Sequence, residues 1–129
     1  MVAINEQRKW NTNLLGDIGK RRSELCKAKD FHKEWYKRWA HEMGEEPNFH
    51  RKQWEYIYVL QALWERGCIQ QGKRGIGFAV GTEPLPSVFA KYGCDILATD
   101  IFQEEGIAKG WRTDNQLCFG VDSLYKCNI

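Results

Sequence analysis

Apolar and polar positions divide this chain into stretches with different periods. Residues 1–16 show no sustained period, and Asn11, Asn13 and Gly16 favour turns, so a loose or partly ordered start is expected. From about Ser23 a helical pattern takes over. Leu25, Ala28, Phe31, Trp35 and Trp39 fall near i, i+3, i+4 spacing, and Ser23 is suited to cap them. Such an aromatic stripe is expected to pack on another helix rather than to stack bases. Gly44 and Pro47 break the pattern. A second helix is predicted from about Asn48 to Glu65, with Trp54, Ile57, Tyr58, Leu60, Gln61 and Trp64 on one broad face and Gly67 as its stop.

The period then changes. A polar turn at Gln71, Gly72 and Lys73 leads into a short apolar run, Ile76 to Val80, with glycines at 75, 77 and 81. Leu85, Val88, Phe89 and Tyr92 follow at roughly helical spacing behind Pro84 and Pro86, and Gly93 ends that helix in a position suited to a positive φ. Cys94 to Thr99 is a second apolar, β-rich run, closed by Asp100. Strand, glycine turn, short helix, strand and terminal acid make up a βαβ unit of the kind that begins a nucleotide-binding α/β sheet. Farther on, Phe102 to Gly110 reads as a loop with a helical turn, and Leu117, Val121, Leu124 and Tyr125 as a last amphipathic helix.

Each part of the βαβ stretch has a physical use. Glycines at a strand end let the backbone approach a ligand with no Cβ in the way. A helix after the turn offers free N–H groups and the positive end of its dipole. Prolines cost little in its first turn. An acid at the tip of the second strand, nineteen residues past Gly81, is placed to bind the two hydroxyls of a ribose.

The run GIGFAVGTEPLPSVFAKYGCDILATDI resembles the cofactor-binding start of a class I S-adenosylmethionine-dependent methyltransferase. It most resembles a bacterial group with a G-F-G-V-G-x-E-P-L pattern, often preceded by an R-K-x-W-E-Y helix. That helix is matched here by Arg51, Lys52, Gln53, Trp54, Glu55 and Tyr56. The resemblance covers residues 50–112, about half the chain. It implies an α/β fold: N-terminal helices over residues 1–47, then over 48–129 the first βαβ unit of a Rossmann-like methyltransferase sheet, incomplete as it stands. S-adenosylmethionine is the implied cofactor. Gly77, Ala79 and Gly81 would form its loop, Glu83 would sit beside the loop, and Asp100 with the adjacent Ile101 would take the ribose side. Two departures stand out. Gly77 occupies the place where most of these enzymes carry an acid, and Ala79 stands for the first loop glycine. The later strands, which in that family face the methyl acceptor, have no candidates here. No catalytic constellation is recognisable; methyl transfer from a sulfonium needs little more than in-line positioning.

Composition narrows the picture only slightly. Hydrophobic content of 43% and charged content of 28% are ordinary for a soluble globular domain. No apolar run approaches the roughly 20 residues that span a bilayer, and the polar N-terminus has no secretory pattern, so a cytoplasmic protein without membrane partners is expected. The five cysteines lack a C-x-x-C pair and read as free, mostly buried thiols. His32, His41 and His50 are nine apart, which sends successive rings to opposite helix faces and argues against a shared metal. Net charge is only +2, yet Lys20 to Arg38 holds eight basic residues against three acids. That stretch supports an alternative: a non-catalytic interaction or nucleic-acid-binding module using the basic, aromatic N-terminal helices. Two short strands leave sheet edges open, to be covered by a protein partner or by further sequence.

Overall fold

The computed structural model describes residues 23–101. A 3-10 turn, Ala28–His32, runs into helix α1, Glu34–Glu42, and a loop carries the chain to α2, Arg51–Glu65. Strand β1, Arg74–Gly77, helix α3, Leu85–Lys91, and strand β2, Asp95–Ala98, complete the order. The two strands pair in parallel, Arg74 opposite Asp95 and Gly77 opposite Ala98, so β1, α3 and β2 form the expected βαβ unit. The predicted C-terminal helix lies outside the described residues.

The first helix departs from its prediction. Residues 23–27 are not helical, and Ser23 caps nothing. The aromatic stripe instead runs across a break at Lys33, whose extended backbone (φ −78°, ψ 149°) separates the 3-10 turn from α1. Both pieces still turn their aromatics the same way. Phe31, Trp35, Tyr36 and Trp39 are all buried, against Trp54, Ile57 and Leu60 of α2. Helix α2 starts at Arg51, because His50 supplies the cap: its Nδ1 accepts the amide N–H of Lys52 at 3.1 Å.

Polar groups tie the two helices together inside this core. Trp39 Nε1 donates to Gln61 Oε1 at 2.7 Å, Tyr36 Oη to Gln53 Oε1 at 2.9 Å, and Trp54 Nε1 to Asp30 Oδ2 at 3.1 Å. Gln53 turns its amide nitrogen back to Glu45 Oε2 and the Glu46 carbonyl, both at 2.9 Å. The indoles of Trp39 and Trp54 and the amides of Gln53 and Gln61 therefore meet partners, which offsets the desolvation cost of burying them.

The same core reaches the βαβ unit. Val88 of α3 is fully buried in it, and the Trp39 and Tyr92 rings lie 5.9 Å apart. Glu42, almost wholly buried at the end of α1, pairs with Lys91 Nζ of α3 at 2.9 Å. Gly67 (φ 68°) ends α2, and Gly93 (φ 82°) turns the chain between α3 and β2, as the sequence predicts. A side chain at Gly93 would also press on Gln71, with a Cβ 3.2 Å from its Cα.

Candidate functional site

Strand β1 begins and ends earlier than its apolar run. It spans Arg74–Gly77, and Phe78 to Thr82 belong to a turn. The glycines explain the shift. Gly75 and Gly77 lie on the sheet side facing the helices, opposite Ile96 and Ala98, where larger side chains would collide: a Cβ on Gly75 falls 3.0 Å from Ile96 Cδ1, and one on Gly77 falls 2.7 Å from Val80 Cγ1. Val80 is buried, but it gets there through the turn. Ala79 makes that turn at φ 50° and Gly81 at φ 53°. A positive φ costs alanine roughly 1–2 kcal/mol. Glycine at 79 would avoid this cost.

The turn is held by the end of β2. Thr99 donates its backbone N–H and its hydroxyl to the Gly77 carbonyl, each at 2.9 Å, and its own carbonyl accepts Val80 N–H at 3.1 Å. Asp100 then closes the loop: Oδ2 accepts the N–H of Gly81 at 2.9 Å, and Oδ1 accepts the N–H of Ile101 at 2.8 Å. The carboxylate thus lies at the carboxyl end of β2 and faces the Gly77–Gly81 loop. Glu83 follows in the same turn, with its N–H on the Val80 carbonyl at 3.0 Å.

Helix α2 completes the surroundings. Lys52 Nζ stands 5.4 Å from the centre of the Tyr56 ring and 3.2 Å from Glu55 Oε2. Burial raises the Glu83 carboxyl above the usual glutamate range, Lys52 pulls it back, and Asp100 raises it further. Burial, followed by the charges of Glu83, Glu45 and Glu55, pushes the Tyr56 hydroxyl up to about 12. Lys52, Tyr56, Glu83 and Asp100 therefore form one electrostatic cluster at the loop. Charges of the R-K-x-W-E-Y helix thus act on the acid that follows the glycine loop. Lys52 and Tyr56 reach it only through the tertiary fold, more than two dozen residues before Glu83 in the chain.

A mostly apolar cavity of about 340 Å³ adjoins the cluster, between α2, β1 and α3. Val59, Leu63, Val80, Phe89 and Ile96 line it, and the missing side chains of Gly75 and Gly77 leave it open. Of the sequence candidates, Gly77 and Glu83 border the cavity, whereas Ala79, Gly81, Asp100 and Ile101 lie outside its lining.

The opposite sheet face carries Arg74, Ile76, Asp95 and Leu97, the first and third paired at 3.2 Å. Ile76 is 53% exposed, Leu97 60% and Phe78 75%. Lys73, Gly75 and Gly77 are turned toward β2: Asp95 N–H bonds to the Lys73 carbonyl at 2.8 Å and Thr99 N–H to that of Gly77 at 2.9 Å. Arg74 and Ile76 therefore direct their backbone groups to the other edge of β1, and no further strand pairs with that edge among the described residues.

The basic stretch reads differently once folded. Lys27 pairs with Glu24, Lys33 with Asp30 at 3.6 Å, Lys37 with Glu34 at 3.0 Å and Arg38 with Glu42 at 4.0 Å. Its large aromatics are interior. The thiols correct an expectation: Cys26 and Cys68 are exposed and Cys94 is half-buried, because Cys26 precedes the first turn and Cys68 follows the Gly67 stop. Among the described residues no His, Cys, Asp and Glu group is arranged to hold a metal, and no helix is long and apolar enough to cross a membrane. Comparison of the chain with protein-family models, curated proteins and solved structures finds no match.

Proposed function

We propose that the βαβ unit is the cofactor-binding start of an S-adenosylmethionine-dependent methyltransferase domain, with Asp100 on the ribose hydroxyls and the Gly77–Gly81 loop against the nucleoside. The observation that carries this reading is the Asp100 carboxylate, fixed against the loop at 2.9 Å from Gly81 N. Each carboxylate oxygen spends one lone pair within the fold and keeps another for a hydroxyl donor.

The loop's own hydrogen bonds favour a ligand without phosphate. A phosphate-binding loop aims free backbone N–H groups at the anion. Here Val80, Gly81 and Glu83 direct theirs to Thr99, Asp100 and Val80. Pro84 and Pro86 have none to give. The acids beside the loop, Glu83 and Asp100, outnumber the one lysine, Lys52, that acts on Glu83 from α2. A cationic sulfonium nucleoside suits such a surface, and a dinucleotide or nucleoside triphosphate does not.

The same reading takes β1 and β2 as two strands of a larger parallel sheet. Parallel strands are ordinarily covered on both faces. Exposed Ile76, Phe78 and Leu97, and the open edge of β1, support that view.

Calorimetric titration of the 129-residue chain with S-adenosylhomocysteine and with ADP tests the reading. Saturable binding of S-adenosylhomocysteine, weakened by Asp100→Ala, together with no binding of ADP is the expected result. Binding of ADP alone, or of neither ligand, overturns it.

A further inference from the structure

We propose that Cys68 and Cys94 are a thiol pair that a small disulfide of the oxidised-glutathione class converts to an internal disulfide. The bond joins the turn after α2 to the start of β2, at one end of the apolar cavity, whether or not the glycine loop binds a nucleoside.

Residues 67–73 fold back on the turn between α3 and β2. Gly72 N–H donates to the Gly93 carbonyl at 3.0 Å, and Asp95 N–H to the Lys73 carbonyl at 2.8 Å. Cys94 carries its thiol over this segment: Sγ lies 3.4 Å from the Gln70 carbonyl oxygen and 4.0 Å from that of Cys68 itself. A thiol this near its partner's main chain is the approach that the short reach of a disulfide requires. Both residues line the cavity and both are free thiols, so their side chains border the same space. Their backbones are fixed, with Cys68 N–H on the Leu63 carbonyl at 2.9 Å and Cys94 N–H on that of Phe89 at 3.0 Å. The Cys68 side chain is turned back, its Sγ 3.8 Å from the Arg66 carbonyl. It is exposed, so no core packing opposes its swing toward Cys94.

Exposure and burial divide the roles. Exposed Cys68 loses its proton and attacks one sulfur of the oxidant, expelling one glutathione thiolate, which takes up a proton. Burial raises the half-buried Cys94 thiol, which suits the second step. Cys94 gives up its proton, attacks the Cys68 sulfur and expels the second glutathione. Two thiols are oxidised to one disulfide, and one glutathione disulfide is reduced to two thiols. Cys26 is also exposed but lies outside the cavity lining, and serves as the control.

The 129-residue chain, equilibrated with oxidised glutathione, is alkylated, cut with trypsin and mapped by mass spectrometry. Cleavage after Arg66, Lys73, Lys91 and Lys109 places Cys68 in peptide 67–73 and Cys94 in peptide 92–109, apart from the other three cysteines. These two peptides should appear joined, two hydrogens lighter than their sum. Melting should rise by about 5 °C or more, a gain that dithiothreitol reverses. Cys68→Ser and Cys94→Ser should each abolish that rise, and Cys26→Ser should leave it. Glutathione caps without the joined peptides, a different joined pair, or unreacted thiols overturn the proposal. Should Cys94→Ser fail to fold, the wild-type peptide map alone decides.

Discussion

The helical pair and the βαβ unit solve the same problem to different degrees. Between the 3-10 turn, α1 and α2, apolar faces close on one another, and the Trp39 and Trp54 indoles find acceptors in Gln61 and Asp30. In the βαβ unit the amides of Val80, Gly81 and Glu83 are paired, yet among the described residues no strand pairs with the outer edge of β1, and Ile76 and Leu97 of one sheet face are exposed. Burial makes the first region the source of stability. The second is precise where it surrounds the candidate site and sparsely packed on the face of Ile76 and Leu97. Precision and stability thus reside in different parts of this molecule.

The comparison breaks most readily at Trp39. It is fully buried between the two helices and touches Tyr92 of the second region. Trp39→Ala should cost about 3–5 kcal/mol in chemical denaturation. A loss below about 1 kcal/mol would mean that the helical pair is not the stabilising half.

Lys91→Met sharpens the comparison at the joint. It removes the close cation from Glu42, buried at the α1–α3 contact, and leaves Arg38 at 4.0 Å, and should cost about 3 kcal/mol. Probes in each half, Trp fluorescence for the helices and loop amide signals for the βαβ unit, should melt together in the wild type and separate in this variant. Coincident melting in both would show that the ion pair does not couple the halves.

Asp100→Ala should weaken nucleoside binding by about 1.5–3 kcal/mol, the range for hydrogen bonds to charged groups. Because Asp100 also braces the loop through Gly81 N–H, a further loss of about 1 kcal/mol in stability should accompany the binding defect. Unchanged binding by calorimetry would leave Asp100 as a loop brace only.

Ala79→Gly should act in the opposite direction. It relieves an alanine at φ 50° and should stabilise the chain by about 0.5–1 kcal/mol, after the extra backbone entropy of glycine is subtracted. Thermal melts resolve a change of that size.

Glu83 gives the fold a pH dependence. Its carboxyl is raised in the folded chain by burial and Asp100, so folding favours the neutral form. This group's contribution to stability is fully present below the unfolded glutamate range and fades as pH rises through the folded value. Melting curves over mildly acidic pH, compared with those of Glu83→Gln, would check the sign.

Features set by local chemistry were legible in the sequence. Gly67 and Gly93 adopt the positive φ their positions imply, α2 and α3 lie where periodicity puts them, and Asp100 ends the second strand. The break at Lys33 was not legible, because the aromatic spacing continues straight across it. Strand β1 was displaced for a related reason: Gly75 and Gly77 look like punctuation, and Phe78 to Val80 look like strand. Gln53 reads as surface, yet it is a hub of the core, because an amide can serve an indole or phenol that hydrophobic neighbours cannot. The electrostatic reach of Lys52 to Glu83 depends on how α2 docks, which no local pattern encodes.

The bond from Gly81 to Asp100 also sets a clock. A backbone amide in an exposed surface turn ordinarily exchanges its hydrogen with solvent almost as fast as an unfolded peptide does. The amides of Val80 and Gly81 are anchored to the end of β2 and should release their hydrogens only when that anchor opens, at rates resembling those of a strand. Deuterium uptake at these two positions would therefore follow the opening of the loop itself.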